Sequence, residues 1–162
     1  MSLSDKLVPS THPLLFEELK PFDFDNPPVD PKELADHMIQ VMDQHNGIGL
    51  SANQLGMNHR VFVMRTEPRL ACFNPVITFA SEEQEVMEEG CLTFPLLYVK
   101  IKRSSWIRAK FYDVNGELQT EKFTGITARC FQHELDHLNG IVYLNRASKI
   151  NLERSKRKLK LL

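Results

Sequence analysis

The chain has 162 residues, 42% of them apolar and 25% charged, with a formal net charge of -1. That size predicts one domain spanning 1–162, large enough to bury a core without staples. A near-neutral charge argues against a nucleic-acid binder that works by global charge. Three cysteines at uneven spacing (Cys72, Cys91 and Cys130) do not make a disulfide framework, so a reducing, cytoplasmic compartment is expected. Neither a signal-peptide apolar run near Met1 nor a membrane span of ~20 apolar residues is visible, so no membrane partner is expected.

In chain order, the first 30 residues are rich in proline (Pro9, Pro13, Pro21, Pro27, Pro28) and predict an extended arm wrapped on the domain. Asp30-Pro31 predicts an N-cap and a first-turn proline. Leu34, Met38, Val41 and Met42 follow at helical spacing, and Asn46-Gly47 stops a helix over about 31–45. Residues 61–64 and 71–79 predict strands, the second interrupted at Pro75. Alternation over 98–102 and 106–111 predicts two more. Asp113-Val114-Asn115-Gly116 then turns the chain into a strand over 118–123. Gly125 to Leu138 returns to helical period, with Ile126, Phe131, Leu135 and Leu138 as its apolar positions, and Asn139-Gly140 ends it. A short basic helix is expected from about Ser148. Strands in the middle and helices toward the ends predict an α+β fold, with largely antiparallel sheets around a central helix.

That central helix carries His133-Glu134-Leu135-Asp136-His137. Two imidazoles four residues apart lie on one face and can converge on a single ion. Glu134, about 100° around the axis from His133, can serve as a general base without being a ligand. Two ordinary surface histidines would be the plainer reading of a pattern this short. A catalytic site also wants a third protein ligand. Cys130 is excluded on length, because it lies roughly 10.5 Å along the axis from His137 at the α-helical rise; it is expected to be a packing thiol. Cys91, in Glu89-Gly90-Cys91-Leu92, can be delivered from a loop or strand edge, with Gly90 allowing an unusual backbone there. In Gly47-Ile48-Gly49-Leu50-Ser51-Ala52-Asn53-Gln54, the paired glycines suit close approach to a ligand, and the Gln54 amide suits a developing oxyanion.

Gly47–Gln54, Glu89–Leu92 and Gln132–Leu138, taken in that order and spacing with His12-Pro13-Leu14-Leu15 near the start, resemble the three motifs of the peptide deformylases over essentially the whole chain. The resemblance implies that Cys91, His133 and His137 hold one divalent metal ion, Fe2+ in the cell, with Zn2+, Ni2+ or Co2+ able to substitute. It implies that Glu134 is the general base and acid. Gln54 and the backbone N–H of Leu92 would stabilise the oxyanion. The substrate it implies is the formyl-methionyl end of a nascent chain, hydrolysed to formate and a free amine. Ile48 and Gly49 would shape the substrate cleft, Phe131 would contribute to it or equally belong to the core, and Asp136 would pair with Arg103, a solvent-exposed acid being the plainer reading.

Several positions depart from the family pattern: Ser51 stands where alanine is usual and Thr93 where serine is, while Arg129 is an unexpected charge beside the site. Leu96-Leu97-Tyr98 is less polar than the matching stretch of many bacterial members. The compact form resembles phage-encoded members, for which the compartment would be the host cytoplasm. In the tail, Arg146, Lys149, Arg154, Lys156, Arg157, Lys158 and Lys160 face a single Glu153, and ribosome contact is the sharper of two readings, a solvated helix being the other. Two competing functions remain at this stage. A zinc endopeptidase of the His-Glu-x-x-His class would want a further His, Glu or Asp ligand downstream, and none of the 25 residues after His137 is a histidine. A non-enzymatic ribosome-binding module with a structural metal would want four protein ligands.

Overall fold

The computed structural model describes residues 3–161; Met1, Ser2 and Leu162, which belong to the expected N-terminus and basic tail, lie outside the described residues. Among the described residues, three α-helices and seven strands form an α+β structure: α1 (Pro31–Gln44), β1 (Gly49–Ser51), β2 (Val61–Met64), β3 (Leu70–Ala80), β4 (Gln84–Cys91), β5 (Phe94–Ser104), β6 (Trp106–Tyr112), β7 (Leu118–Thr124), α2 (Gly125–Leu138) and α3 (Lys149–Lys160). Five strands form an antiparallel sheet in the order β1-β2-β3-β6-β7, while β4 and β5 pair only with each other.

Local chemistry explains the boundaries. Asp30 accepts a hydrogen bond from the Glu33 backbone N–H, with Pro31 in the first turn, and α1 stops at Asn46, whose φ of 55° leaves the helical region. At the end of α2 the constraint is doubled. Gly140 has φ 74°, and a β-carbon there would lie 2.7 Å from the Phe16 carbonyl carbon. In the β6–β7 turn, Asp113 Oδ1 accepts from the backbone N–H groups of Asn115 and Glu117, and Gly116 takes φ 74°.

Three differences from the expected elements have physical reasons. Pro75 does not interrupt β3; the strand absorbs it in a bulge between Phe73 and Val76, with Asn74 at φ 49°. The Asn74 side chain accepts from Phe22 N–H and donates to Phe22 C=O, which pins the N-terminal arm to the sheet. Strand β4 went unread because Glu82-Glu83-Gln84-Glu85 and Glu88-Glu89 resemble a solvated loop, yet a two-stranded hairpin leaves most of those positions in water. Ile126, expected on the apolar face of α2, is 59% exposed and reaches the site cavity instead of the core.

The core places α2 at the centre. Ala128, Phe131 and Leu138 pack on Phe62, Met64, Ile107, Ala109 and Phe111 of the sheet. Leu34, Met38, Val41 and Met42 of α1 meet Leu50, Val61 and Val63. Leu97, Val99 and Ile101 of β5 close on Tyr143, with Leu152 and Leu159 of α3 against them. The β4–β5 hairpin therefore lies over α2 on one side and is held by α3 on the other. None of the helices among the described residues is long and apolar enough to cross a membrane.

Candidate active site

Three elements meet at a cavity of about 590 Å³: the β1 segment, the tip of the β4–β5 hairpin, and the inward face of α2. Cys91 Sγ lies 3.3 Å from His137 Nε2, and one donor atom from each of Cys91, His133 and His137 falls within 4.8 Å of the other two. Bonds of ~2.0–2.3 Å around a tetrahedral ion separate their donor atoms by about 3.5 Å, so this trio suits a single metal. One sulfur and two nitrogens are a donor set for zinc or another first-row divalent ion. Cys130 is not in the trio; its Sγ donates to the Ile48 carbonyl at 3.3 Å.

Other elements hold the two histidines of the trio, one through its ring and the other through its backbone. His133 Nδ1 meets Glu89 Oε1 at 2.9 Å, which turns Nε2 toward the site. The His137 backbone carbonyl accepts from Asn53 Nδ2 at 2.7 Å, tying α2 to the turn after β1. Burial holds the His137 imidazole well below its usual range, so it is neutral and keeps a lone pair for a cation. For His133, burial pulls downward, but hydrogen bonds with Cys91 and Glu89 and the charge of Glu134 outweigh it and push the group up to about 10. A cation at the trio therefore has to displace a proton from His133.

Glu134 is 3% exposed, its Oε1 is 4.0 Å from His133 Nε2, and its Oε2 is sealed with no protein partner. Burial pushes this carboxyl up to about 7, with the His133 charge opposing and the Glu89 charge adding. An unpaired buried carboxyl costs stability, so its retention points to work on a bound molecule. Gly49 makes room for it: a β-carbon at Gly49 would lie 2.7 Å from both Glu134 Oε1 and Cys130 Sγ. Gly90 is also a matter of space, not of the unusual backbone expected for it, since a β-carbon would lie 2.6 Å from the Tyr98 ring.

The Gln54 side chain is held with its amide nitrogen inward. Its Oε1 accepts from the Ser51 backbone N–H at 2.9 Å and lies 3.0 Å from the Ser51 hydroxyl; its Nε2 points to Thr93 Oγ1 at 3.0 Å and Cys91 Sγ at 3.5 Å. Leu92, Ile48 and Gly49 line the same cavity. Phe131 does not. It is fully buried, stacked on Phe123 and edge-on to Phe62, because its position on α2 faces the sheet.

Beneath the trio lies a buried ionic network that sequence reasoning recovered only in part. Asp136 does pair with Arg103, at 3.0 Å, and also with Arg146 at 2.9 Å. Glu89 accepts from Arg103 Nη2 at 2.9 Å and Nε at 2.5 Å, and from Arg129 Nη1 at 2.6 Å. Glu89 was missed, although its spacing of two from Cys91 on a strand puts both on one face. Burial alone would raise the Glu89 carboxyl, but the hydrogen bonds and charges of His133 and Arg103 win and lower it to about 2. A depressed carboxylate contributes stability that is complete above its unfolded value and is lost as pH falls toward its folded one. The protein is therefore expected to lose ~3 kcal/mol between about pH 4.5 and 2, read as a falling urea midpoint, with Glu89→Gln flattening that part of the curve.

A sulfur-and-imidazole trio able to hold one metal ion, with a buried carboxyl beside it on a His-Glu-x-x-His helix, fits a mononuclear metal-dependent hydrolase. The polypeptide deformylase family model matches residues 4–153. The chain is 43% identical to the peptide deformylase of Thermotoga neapolitana over 116 residues, 71% of each chain. To that of Wolbachia from Culex pipiens it is 39% identical over 141 residues, 78% of this chain and 79% of the relative. The peptide deformylase of Thermotoga maritima superposes with a TM-score of 0.85 at 37% identity, covering 91% of this chain and 99% of that one. The Synechococcus elongatus enzyme, solved in complex with actinonin, gives 0.87 at 31% identity, with 94% and 84% covered. The chain belongs to the peptide deformylase family.

Proposed function

We propose that the protein hydrolyses the N-formyl group from the initiator methionine of nascent polypeptides, releasing formate and a free amine. The carrying observation is the convergence of Cys91, His133 and His137 beside the unpaired, buried Glu134 in one cavity. A divalent ion held by that trio, ferrous in the cell with zinc, nickel or cobalt as substitutes, would supply Lewis acidity for water and the formyl oxygen. Glu134 takes the proton of the attacking water and later delivers it to the departing nitrogen. Gln54 Nε2, with the Leu92 backbone N–H, donates to the oxygen that gains charge, and Ser51 keeps the Gln54 amide from flipping. Strand β1 is a sheet edge, so an extended peptide can pair with the backbone at Ile48 and Gly49.

Residues 1–162 act as one catalytic unit in the cytoplasm, a compartment consistent with three unbridged thiols. Formate release from formyl-Met-Ala, by protein loaded anaerobically with iron and separately with zinc, tests the reading; no release from either preparation overturns it. Cys91→Ala is expected to lower bound metal per chain several-fold by elemental analysis, and unchanged metal content would move the third ligand elsewhere. Against the endopeptidase alternative, the third donor gathered with His133 and His137 among the described residues is Cys91, upstream of the helix, not a downstream His, Glu or Asp. For a structural four-ligand centre, only three residues gather among the described ones.

The basic tail is proposed to contact the ribosome, through α3 alone. Arg146, counted with the tail in the sequence, is engaged with Asp136, whereas Lys156, Arg157, Lys158 and Lys160 crowd the last turns. Deleting 149–162 would also strip Leu152 and Leu159 from the core, so charge reversal is the cleaner probe. Glu at Lys156 and Lys160, two exposed positions, is expected to abolish co-sedimentation with ribosomes without lowering formyl-peptide turnover.

A further inference from the structure

Arg129 stands one turn before His133 on α2, lines the cavity, and is 7% exposed. Its Nη1 donates to Glu89 Oε2 at 2.6 Å and to the Ile101 carbonyl at 2.9 Å, and its Nη2 donates to the Glu85 carbonyl at 2.7 Å. A guanidinium has five N–H donors. Those bonds occupy three, and neither Nε–H nor the second Nη2 proton has a partner among the described residues. Nε is also not among the sealed side-chain atoms without partners found for the described residues, Glu134 Oε2 and His137 Nδ1. Water therefore reaches Nε, although the side chain as a whole is 8% exposed.

Apolar side chains share the cavity lining with it, Ile48, Met87, Ile126 and Cys130 among them, beside the carboxylates of Glu88, Glu89 and Glu134. A donor in such a wall discriminates by what it is left to face. An apolar side chain leaves it with a confined water or nothing, whereas an acceptor oxygen satisfies it. The Glu89 carboxylate, shared with Arg103, lies against the guanidinium and Glu134 lines the same cavity, so a second anion would be repelled and a neutral acceptor is the better match.

We propose that Arg129 is a specificity-determining residue that lets the cavity accept formylated peptides whose first side chain ends in a neutral oxygen acceptor, oxidised methionine foremost. The proposal rests on the deformylase reading of the same site. The hydrolysis is unchanged: water adds to the formyl carbon, the carbon–nitrogen bond breaks, and the sulfoxide oxygen takes no part.

The test compares kcat/KM of the metal-loaded protein for formyl-Met-Ala-Ser, its methionine-sulfoxide form and its norleucine form. The sulfoxide peptide is expected within about tenfold of the thioether peptide, and Arg129→Leu is expected to shift that ratio at least ~10-fold against the sulfoxide. The norleucine-to-thioether ratio should not move. Because ratios are read, a general loss of activity in the variant does not mask the result. Should Arg129→Leu not fold, Arg129→Lys, which keeps the charge and moves the donors, is expected to shift the same ratio. A wild-type preference above ~100-fold for the thioether, or a ratio unchanged in both variants, overturns the proposal while leaving the deformylase reading intact. No formate from any of the three peptides overturns both.

Discussion

Glu134→Gln is expected to lower kcat for formate release by ~10²–10⁴-fold while metal content and the far-UV spectrum stay as in the parent. The size follows from the role: an amide in the same place can accept a hydrogen bond but cannot carry a proton from water to a leaving nitrogen. The metal should stay because Glu134 is outside the donor trio, and the fold because glutamine fills the same space. Stability has its own sign. In the metal-free protein burial raises this carboxyl to about 7, so ionising it costs folding free energy as pH rises from about 4.5 through 7. The metal-free variant should therefore melt higher than its parent at pH 8, and a lower melting temperature would contradict the burial argument. A bound cation favours the carboxylate, which places the acid limb of the parent's pH–rate profile below 7. Full activity in the variant would remove Glu134 from the chemistry.

Arg103→Ala carries the largest expected stability effect. The guanidinium is 5% exposed and joins Glu89 on the hairpin to Asp136 on α2, whose side chains are 5% and 11% exposed. Removing one member of a buried ionic group strands the others, which costs about 3–5 kcal/mol. Arg129 remains on Glu89 and Arg146 on Asp136, which favours the lower part of that range. For a chain of this size the loss corresponds to a melting temperature lower by about 6–20 °C. Metal affinity should fall as well, by ~10–100-fold, because Glu89 orients His133. Scanning calorimetry with a zinc titration separates the two effects, and a melting temperature within a degree or two of the parent would deny the network its structural role.

Legibility in the sequence followed the kind of force at work. The bounds of α2 were readable because Gly125, the 3.6-residue period and Asn139-Gly140 are local signals. The convergence of His133 and His137 was readable because one helix sets their spacing. Cys91 could be named as a candidate once Cys130 was excluded on length, but only the resemblance to a family assigned it, since its delivery depends on a hairpin whose strand β4 carries three glutamates in eight residues. Glu89 and Arg129 were not legible as partners: an acid on one strand and a base on a distant helix become a pair only when the hairpin folds over α2. Phe131 was misplaced for a related reason. The helix has two inward directions, one to the sheet and one to the cavity, and the apolar period does not separate them.

Among the described residues the β4–β5 hairpin has no strand partner outside itself, yet it brings one of three converging donors while α2 brings the other two. An ion shared across that seam is a tether as well as a reagent. It would close a chain loop from Cys91 to His133 much as a covalent bridge would, and confine the unfolded ensemble accordingly. Loading state would then govern how readily the hairpin lifts, and a protease or an oxidant reaching the Cys91 sulfur would sense whether the ion is in place.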